Sequence, residues 1–126
     1  MTRKPVDTGL PQLKAPLEWA TIAGGVLYTA QIPIKADGGL ETGDAVAQVD
    51  LTLRNLKKTV EAAGGGMDDV TQCLVYLTDA KHGPALNEVW PRYFKAPYPN
   101  RATVIVTALV VPGIVVEVVA HAHIGA

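Results

Sequence analysis

Alternating apolar and polar positions predict a first hairpin near the start of the chain. Glu18 to Ala23 and Val26 to Ile32 predict two short strands, and Gly24-Gly25 between them is typical of a hairpin turn. Residues 1–15, rich in Pro, Thr and Lys, predict an irregular lead-in.

The C-terminal part of the chain predicts two stronger strands. Ala102 to Val110 and Ile114 to His123 are rich in Val, Ile and Thr, which favour extended structure. Pro112-Gly113 between them predicts a tight turn, so we expect these strands to pair as a second hairpin.

Asp44 to Ala63 predicts the clearest helix. Thr42 or Asp44 is suited to cap its start, and Gly64 to close its end with a positive φ. Apolar residues recur at three- and four-residue steps and form one stripe: Val46, Val49, Leu53, Leu56 and Val60.

The middle of the chain predicts one more strand and one more helix. Asp69 to Thr78 predicts a strand, and Pro84 to Phe94 predicts a helix that Pro91 complicates, so it either starts late or bends there. The two expected faces of the strand are Val70, Gln72, Leu74 and Tyr76 on one side, and Cys73, Val75 and Leu77 on the other.

The resulting element order is ββαβαββ in a single domain over residues 1–126. Hairpins combined with helices predict an α+β fold, with two helices packed on one face of a mixed, mostly antiparallel sheet.

Composition narrows the function classes. The chain is 48% hydrophobic and 18% charged, which is apolar for a small monomer and favours burial of surface between subunits. A net charge of −1 without clustered Lys and Arg argues against a nucleic-acid partner.

Three further features of the sequence suggest a cytoplasmic protein without a membrane segment. The longest apolar run, Ala102 to Val111, is half the length of a membrane helix. The single cysteine, Cys73, fits a reducing compartment, and no signal peptide is visible.

Glu117 is the first candidate for chemistry, because it lies within Ile114-Val115-Val116-Glu117-Val118-Val119-Ala120. A carboxylate is costly to bury in such a strand unless it is paired. It either faces solvent or pairs with a base, or it is a functional carboxylate with a raised pKa that holds or transfers a proton.

Arg101 is the second candidate, at the start of the strand before that of Glu117. An Arg fork binds a carboxylate through two parallel hydrogen bonds. Spacing alone favours an ordinary surface arginine. Counted from the expected turn, Arg101 and Glu117 lie at different depths of the hairpin, and a folded-over loop would be needed to bring them into one cleft.

Histidine and cysteine offer weaker candidates. Glu117, His121 and His123 share one strand face, but no further His or Cys is placed to complete a zinc site, so we expect no metal. Cys73 between apolar neighbours is typical of a small buried side chain rather than a nucleophile.

The sequence resembles the YjgF/RidA family of reactive-intermediate deaminases over about residues 15–123. The stretch Pro99-Asn100-Arg101-Ala102-Thr103-Val104, followed by Val116-Glu117-Val118, is similar to the family signature. Tyr28-Thr29-Ala30-Gln31-Ile32-Pro33 resembles the family's Ser-Gly-Gln-Ile-Pro segment. Leu86-Asn87-Glu88-Val89-Trp90 resembles part of its second helix.

The resemblance implies a chorismate-mutase-like fold and a homotrimer with active sites in clefts between subunits. Arg101 would bind the carboxylate of a 2-imino acid, and Glu117 would activate the water that attacks the imine carbon. No metal or cofactor is implied. The remaining substrate-binding positions implied are Ala30 (through its backbone N–H), Thr29, Asn87, Thr103 and Leu17.

Three departures from the family pattern predict a modified pocket. Thr103 stands where the family often has Cys, Leu17 where it often has Tyr, and Thr29-Ala30 where it has Ser-Gly. A pathway-specific enzyme, such as a 2-aminomuconate deaminase, is therefore one alternative, and a non-catalytic trimeric binder of small carboxylates is another. A third, an RNA-cleaving translation inhibitor, is disfavoured by the net charge.

Overall fold

The computed structural model describes residues 2–125 of the 126-residue chain. Within these residues the element order is βββαβαββ, and the predicted α+β class is confirmed. No helix in this part of the chain is long and apolar enough to cross a membrane. The strands are β1 (Lys4–Pro5), β2 (Ala20–Ala23), β3 (Val26–Gln31), β4 (Val70–Leu77), β5 (Asn100–Ile105) and β6 (Val116–His123); the helices are α1 (Ala45–Ala62) and α2 (Gly83–Val89).

The strands form one mixed sheet in the order β1-β2-β3-β6-β4-β5. Only β4 and β5 pair in parallel among these neighbours. The lead-in, predicted to be irregular, contains the short strand β1, whose Lys4 pairs with Ile22. The first hairpin is confirmed: Gly24 and Gly25 have φ values of 59° and 77°, the left-handed conformation that a two-residue turn needs.

The predicted second hairpin is wrong, because β4 lies between β5 and β6. The end of β4 holds both flanks of the connecting loop: Val106 N–H donates to Leu77 O at 2.9 Å, and Thr78 N–H donates to Val115 O at 3.1 Å. Gln48 of α1 fixes the returning chain by accepting from Val115 N–H at 2.7 Å. Pro112-Gly113 does form a turn, but that turn leads across the end of β4.

The helices largely follow the predicted ranges. Asp44 caps α1 by accepting from Ala47 N–H at 2.8 Å, and Gly64 follows the helix with a φ of 93°. The second helix is shorter than predicted. Helix α2 ends at Val89, and a 3₁₀ turn (Trp90–Arg92) follows where the α-helix is predicted to continue. Pro91 accounts for the change, since it has no N–H to continue the α-helical pattern.

The sheet has one face covered by the helices and one open face. On the covered face lie the core residues of β6, namely Val116, Val118, Ala120 and Ala122. Val70 also lies on this covered face, whereas the sequence predicts it on the face of Gln72, Leu74 and Tyr76. The reason is a β-bulge between Val70 and Gln72, which shifts the alternation of side chains. The open face carries Tyr28, Ala30, Leu74, Tyr76, Glu117, Val119 and His121.

Candidate functional site

Arg101 projects from the edge strand β5 towards α2. Its Cα partner on β4 is the buried Cys73, so the Arg101 side chain lies on the covered face of the sheet. One guanidinium nitrogen, Nη2, donates to Asn87 Oδ1 at 2.8 Å. The guanidinium carbon lies 4.8 Å from the ring centroid of Trp90, within cation–π range.

The local structure after α2 explains why Asn87 and Trp90 meet the same side chain. They are three residues apart, and residues at this spacing share one helical face. The 3₁₀ turn that contains Pro91 continues the coil for one more turn, so Trp90 stays on that face. Trp90 is 6% exposed and its ring lies 4.7 Å from that of Phe94, which holds the indole in place.

A cleft of about 350 Å³ opens beside this guanidinium. Arg101 supplies the only charged side chain of its lining, and proline and aromatic side chains supply most of the remainder. This combination suits a small anion that carries an apolar group. The lining residues are Asn87, Trp90, Pro91, Tyr98, Pro99 and Arg101.

Arg101 differs from Arg54 and Arg92 in its partners. Arg54 and Arg92 both lie within ion-pair distance of Asp50, at 2.7 Å and 3.4 Å. Among residues 2–125, Arg101 has no such carboxylate, because its hydrogen-bond partner is a neutral amide. Its positive charge therefore remains available to a ligand.

Glu117 lies on the open face and is the second residue of β6. Its cross-strand partner is Tyr76, and it is half-buried. Burial raises the pKa of Glu117 above its ordinary value, because desolvation disfavours the charged form. The ion pairs found among residues 2–125 do not include Glu117, so the structure favours the half-exposed carboxylate over the one paired with a base.

Arg101 and Glu117 do not face a common cavity within one chain. The β4 partner of Arg101 is Cys73 and that of Glu117 is Tyr76, three residues further along the strand. Successive side chains alternate between faces, so the two groups lie on opposite sides of the sheet. Their strand positions are separated by about 10 Å across two strand spacings and by about another 10 Å along the strand direction.

The other predicted site residues divide between these two locations. Thr103 lies on β5, two residues beyond Arg101 and on the same face, and is exposed. Ala30 lies on the open face beside Val119, a neighbour of Glu117 on β6. Leu17 is 53% exposed, just before β2.

Thr29 is placed differently from the other predicted residues. Its side chain is buried, and its hydroxyl donates to Trp19 O at 2.6 Å and accepts from Gln31 Nε2 at 2.9 Å. The structure therefore gives Thr29 a packing role in this chain, and its distance from β5 is three strand spacings, about 14 Å.

Sequence reasoning missed the involvement of Trp90, Pro91, Tyr98 and Pro99 in the cleft. From the sequence, Trp90 is identified only as part of the segment that resembles the family's second helix. The detectable signal is its spacing of three residues from Asn87, but it becomes informative only once Arg101 is known to face that helix.

Cys73 on β4 and His121 on β6 are the remaining candidates, and both contact other side chains of the fold. Cys73 is buried, and burial raises the pKa of its thiol to about 12, as expected for an unreactive side chain. His121 stacks edge-on against Tyr28 at 5.2 Å between ring centroids. Among residues 2–125, no three His, Cys, Asp or Glu side chains are grouped closely enough to hold a metal ion.

Comparisons with known proteins agree with this architecture. RidA from the Antarctic bacterium Psychrobacter sp. PAMC 21119 has 32% identity and a TM-score of 0.88, over 96% of this chain and 99% of that one. E. coli TdcF, solved with bound serine, has 29% identity and a TM-score of 0.87, over 95% and 98%. Yeast Mmf1 has 26% identity and a TM-score of 0.90, over 98% and 99%.

A family model covers nearly the whole chain. The model described as Endoribonuclease L-PSP matches residues 11–124, a range that contains the candidate cleft, the open face and both helices. The chain therefore belongs to the endoribonuclease L-PSP family, the YjgF/RidA family that its sequence motifs resemble.

Proposed function

We propose that this protein hydrolyses reactive enamine and imine intermediates, converting 2-imino acids to 2-keto acids and ammonia. The observation that carries the proposal is the guanidinium of Arg101, which lines a small cleft and has a neutral hydrogen-bond partner. A substrate carboxylate would supply the missing negative charge through a bidentate contact.

Arg101 would act by positioning the substrate. Imines hydrolyse readily in water, so a carboxylate anchor that orients the C=N carbon towards a water molecule supplies much of what the reaction needs. Asn87 would hold the guanidinium from one side, and Thr103, exposed on the same strand face, would contact the substrate beyond the carboxylate.

Glu117 would act as the general base. Its carboxylate accepts a proton from water while the water oxygen bonds to the imine carbon, and the proton is then passed to the nitrogen. As the carbinolamine collapses, its hydroxyl proton is transferred through the same carboxylate to the nitrogen. The C=O bond then forms as the C–N bond breaks, and ammonia is released. A pKa raised by burial brings the carboxylate closer to the working pH, where a base is most effective.

The proposed active site is formed between subunits of a homotrimer. Arg101 and Thr103 lie on the covered face of the sheet at β5, beside Asn87 of α2. Glu117 and Ala30 lie on the open face. Packing the open face of one subunit beside the β5 edge of the next would unite both groups around one substrate. The apolar side chains of the open face, including Leu74 and Val119, support such burial.

A coupled assay tests the reaction. An amino-acid oxidase generates a 2-imino acid in situ, and its decay is followed with wild-type protein, Arg101→Ala and the control Arg54→Ala, which removes an exposed arginine. We expect acceleration that is lost only in Arg101→Ala. Equal acceleration by Arg101→Ala would show that the carboxylate clamp is wrong.

Glu117→Gln separates catalysis from simple carboxylate binding. This variant should bind pyruvate as tightly as wild type but lose turnover, and Glu88→Gln, at an exposed carboxylate on α2, should behave as wild type. Undiminished turnover would remove Glu117 from the mechanism. Binding without turnover in the wild type, across several imines, would favour a carboxylate-binding protein instead.

Mixing inactive variants tests the shared site. If each site takes Arg101 from one subunit and Glu117 from its neighbour, trimers reassembled from equal amounts of Arg101→Ala and Glu117→Gln should regain about a quarter of the wild-type rate. No recovery in trimers shown to be mixed would indicate that one subunit supplies both residues.

A further inference from the structure

We propose that Trp90 is a positioning residue, whose indole face holds the Arg101 guanidinium in the orientation that receives a carboxylate. The inference rests on the proposed function, because it concerns how the same cleft binds its ligand. Its basis is the placement of the Trp90 ring 4.8 Å from the guanidinium carbon.

The need for such a support follows from the position of Arg101. The residue lies on an edge strand whose other side chains are all exposed, so the sheet packs little against its long side chain. An unsupported arginine loses much of its rotamer freedom when a ligand fixes it. A side chain already held in place has less freedom to lose, and binds the ligand more tightly.

Two groups hold the guanidinium in different directions. Asn87 Oδ1 accepts from Nη2 at 2.8 Å in one direction, and the Trp90 ring supports the guanidinium from one face. Among residues 2–125, the Arg101 side chain has no other hydrogen bond or ion pair, so its remaining N–H groups are available to a ligand. Both supports are uncharged, so they orient the guanidinium without neutralising it.

Trp90 is itself fixed well enough to serve as a support. It is 6% exposed, packs against Phe94, and belongs to the same core cluster as Val89 and Leu86. The short 3₁₀ turn at Pro91 defines the direction of the indole relative to β5. A flexible or surface-exposed aromatic residue would not restrain the arginine in this way.

The test measures side-chain order and ligand affinity in the same variants. The order parameter of the Arg101 Nε–H group is obtained by ¹⁵N relaxation, with its signal assigned from its loss in Arg101→Lys. Pyruvate, a stable keto acid, is titrated by calorimetry. We expect Trp90→Leu to lower the order parameter and to weaken pyruvate binding about tenfold, whereas Trp90→Tyr retains most of both.

A matched control separates this effect from general loss of packing. Trp19 donates its indole N–H to Pro11 O at 2.8 Å near the opposite edge of the sheet, four strand spacings from β5. Trp19→Leu removes an equally large ring and should leave Arg101 order and pyruvate affinity unchanged. Thermal melting confirms that each variant is folded.

The outcomes distinguish this inference from the proposed function. A more mobile Arg101 with undiminished pyruvate affinity in Trp90→Leu would overturn the positioning role, and so would unchanged Arg101 order. Failure of Trp90→Tyr to restore binding would overturn it as well. An ordered Arg101 in a wild-type protein that binds no keto or imino acid would instead contradict the carboxylate clamp itself.

Discussion

Replacing Asn87 by Asp would test the charge argument with almost no change of shape. The amide oxygen that accepts from Arg101 at 2.8 Å becomes a carboxylate oxygen in the same position. The guanidinium then has a permanent negative partner within its own chain. We expect a substrate carboxylate to be bound much more weakly, although the geometry of the cleft is preserved.

The size of the effect follows from the exposure of the pair. Opposite charges about 4 Å apart interact by about 4 kcal/mol at an effective dielectric constant near 20. Solvent screening reduces this strongly for a part-exposed arginine, to about 1–2 kcal/mol. Because 1.4 kcal/mol corresponds to a factor of ten, Asn87→Asp should weaken pyruvate binding about 5- to 30-fold.

Asn87→Ala provides the matched control. It removes the neutral acceptor of the guanidinium but leaves the charge of Arg101 unopposed. Pyruvate titrations and imine decay should therefore rank wild type above Asn87→Ala, and Asn87→Ala above Asn87→Asp. If Asn87→Asp binds pyruvate as well as Asn87→Ala does, the neutral surroundings of Arg101 have no role in anion binding.

Other side chains give predictions of stability and reactivity. Because burial raises the pKa of Glu117, its charged form is disfavoured in the folded state; Glu117→Gln should raise the melting temperature at pH 7, and the gain should disappear below the ordinary pKa of 4.5, where both states are protonated. A lower melting temperature at pH 7 would refute this sign. The Cys73 thiol, with a pKa of about 12, should resist a disulfide reagent at pH 8 until the protein is unfolded by denaturant. Gln48→Leu leaves Val115 N–H without its acceptor and should lower the free energy of unfolding in urea by about 1–3 kcal/mol; an unchanged value would show that the contact contributes nothing.

The elements that the sequence predicts best are those defined by local signals. The sequence predicts helix α1 over Asp44 to Ala63, and the structure has it over Ala45–Ala62. Its apolar stripe, its Asp44 cap and the glycine that follows all act within a few residues of each end. The Gly24-Gly25 hairpin is equally local, because a two-residue turn determines the register of both strands.

The position of β5 depends on contacts that no local pattern contains. The two Val-rich runs on either side of Pro112-Gly113 predict a hairpin. In the structure, the turn instead leads the chain across the end of β4, which lies between the two strands. The decisive hydrogen bonds join Gln48 to Val115, and Thr78 to Val115, over separations of 67 and 37 residues. Sequence periodicity carries no information about such pairs.

The arrangement of the candidate site depends on the same long-range order. Each strand alone predicts alternation, but which residues of β5 and β6 share a face depends on how both align with β4. Because Arg101 aligns with Cys73 and Glu117 with Tyr76, a shift of one residue in either pairing would have placed both side chains on the same face. The observed alignment places them on opposite faces, on separate strands. The proposed mechanism uses both residues on one small substrate, so one of them must come from a second subunit. Under that proposal, assembly would be part of the chemistry as well as of stability.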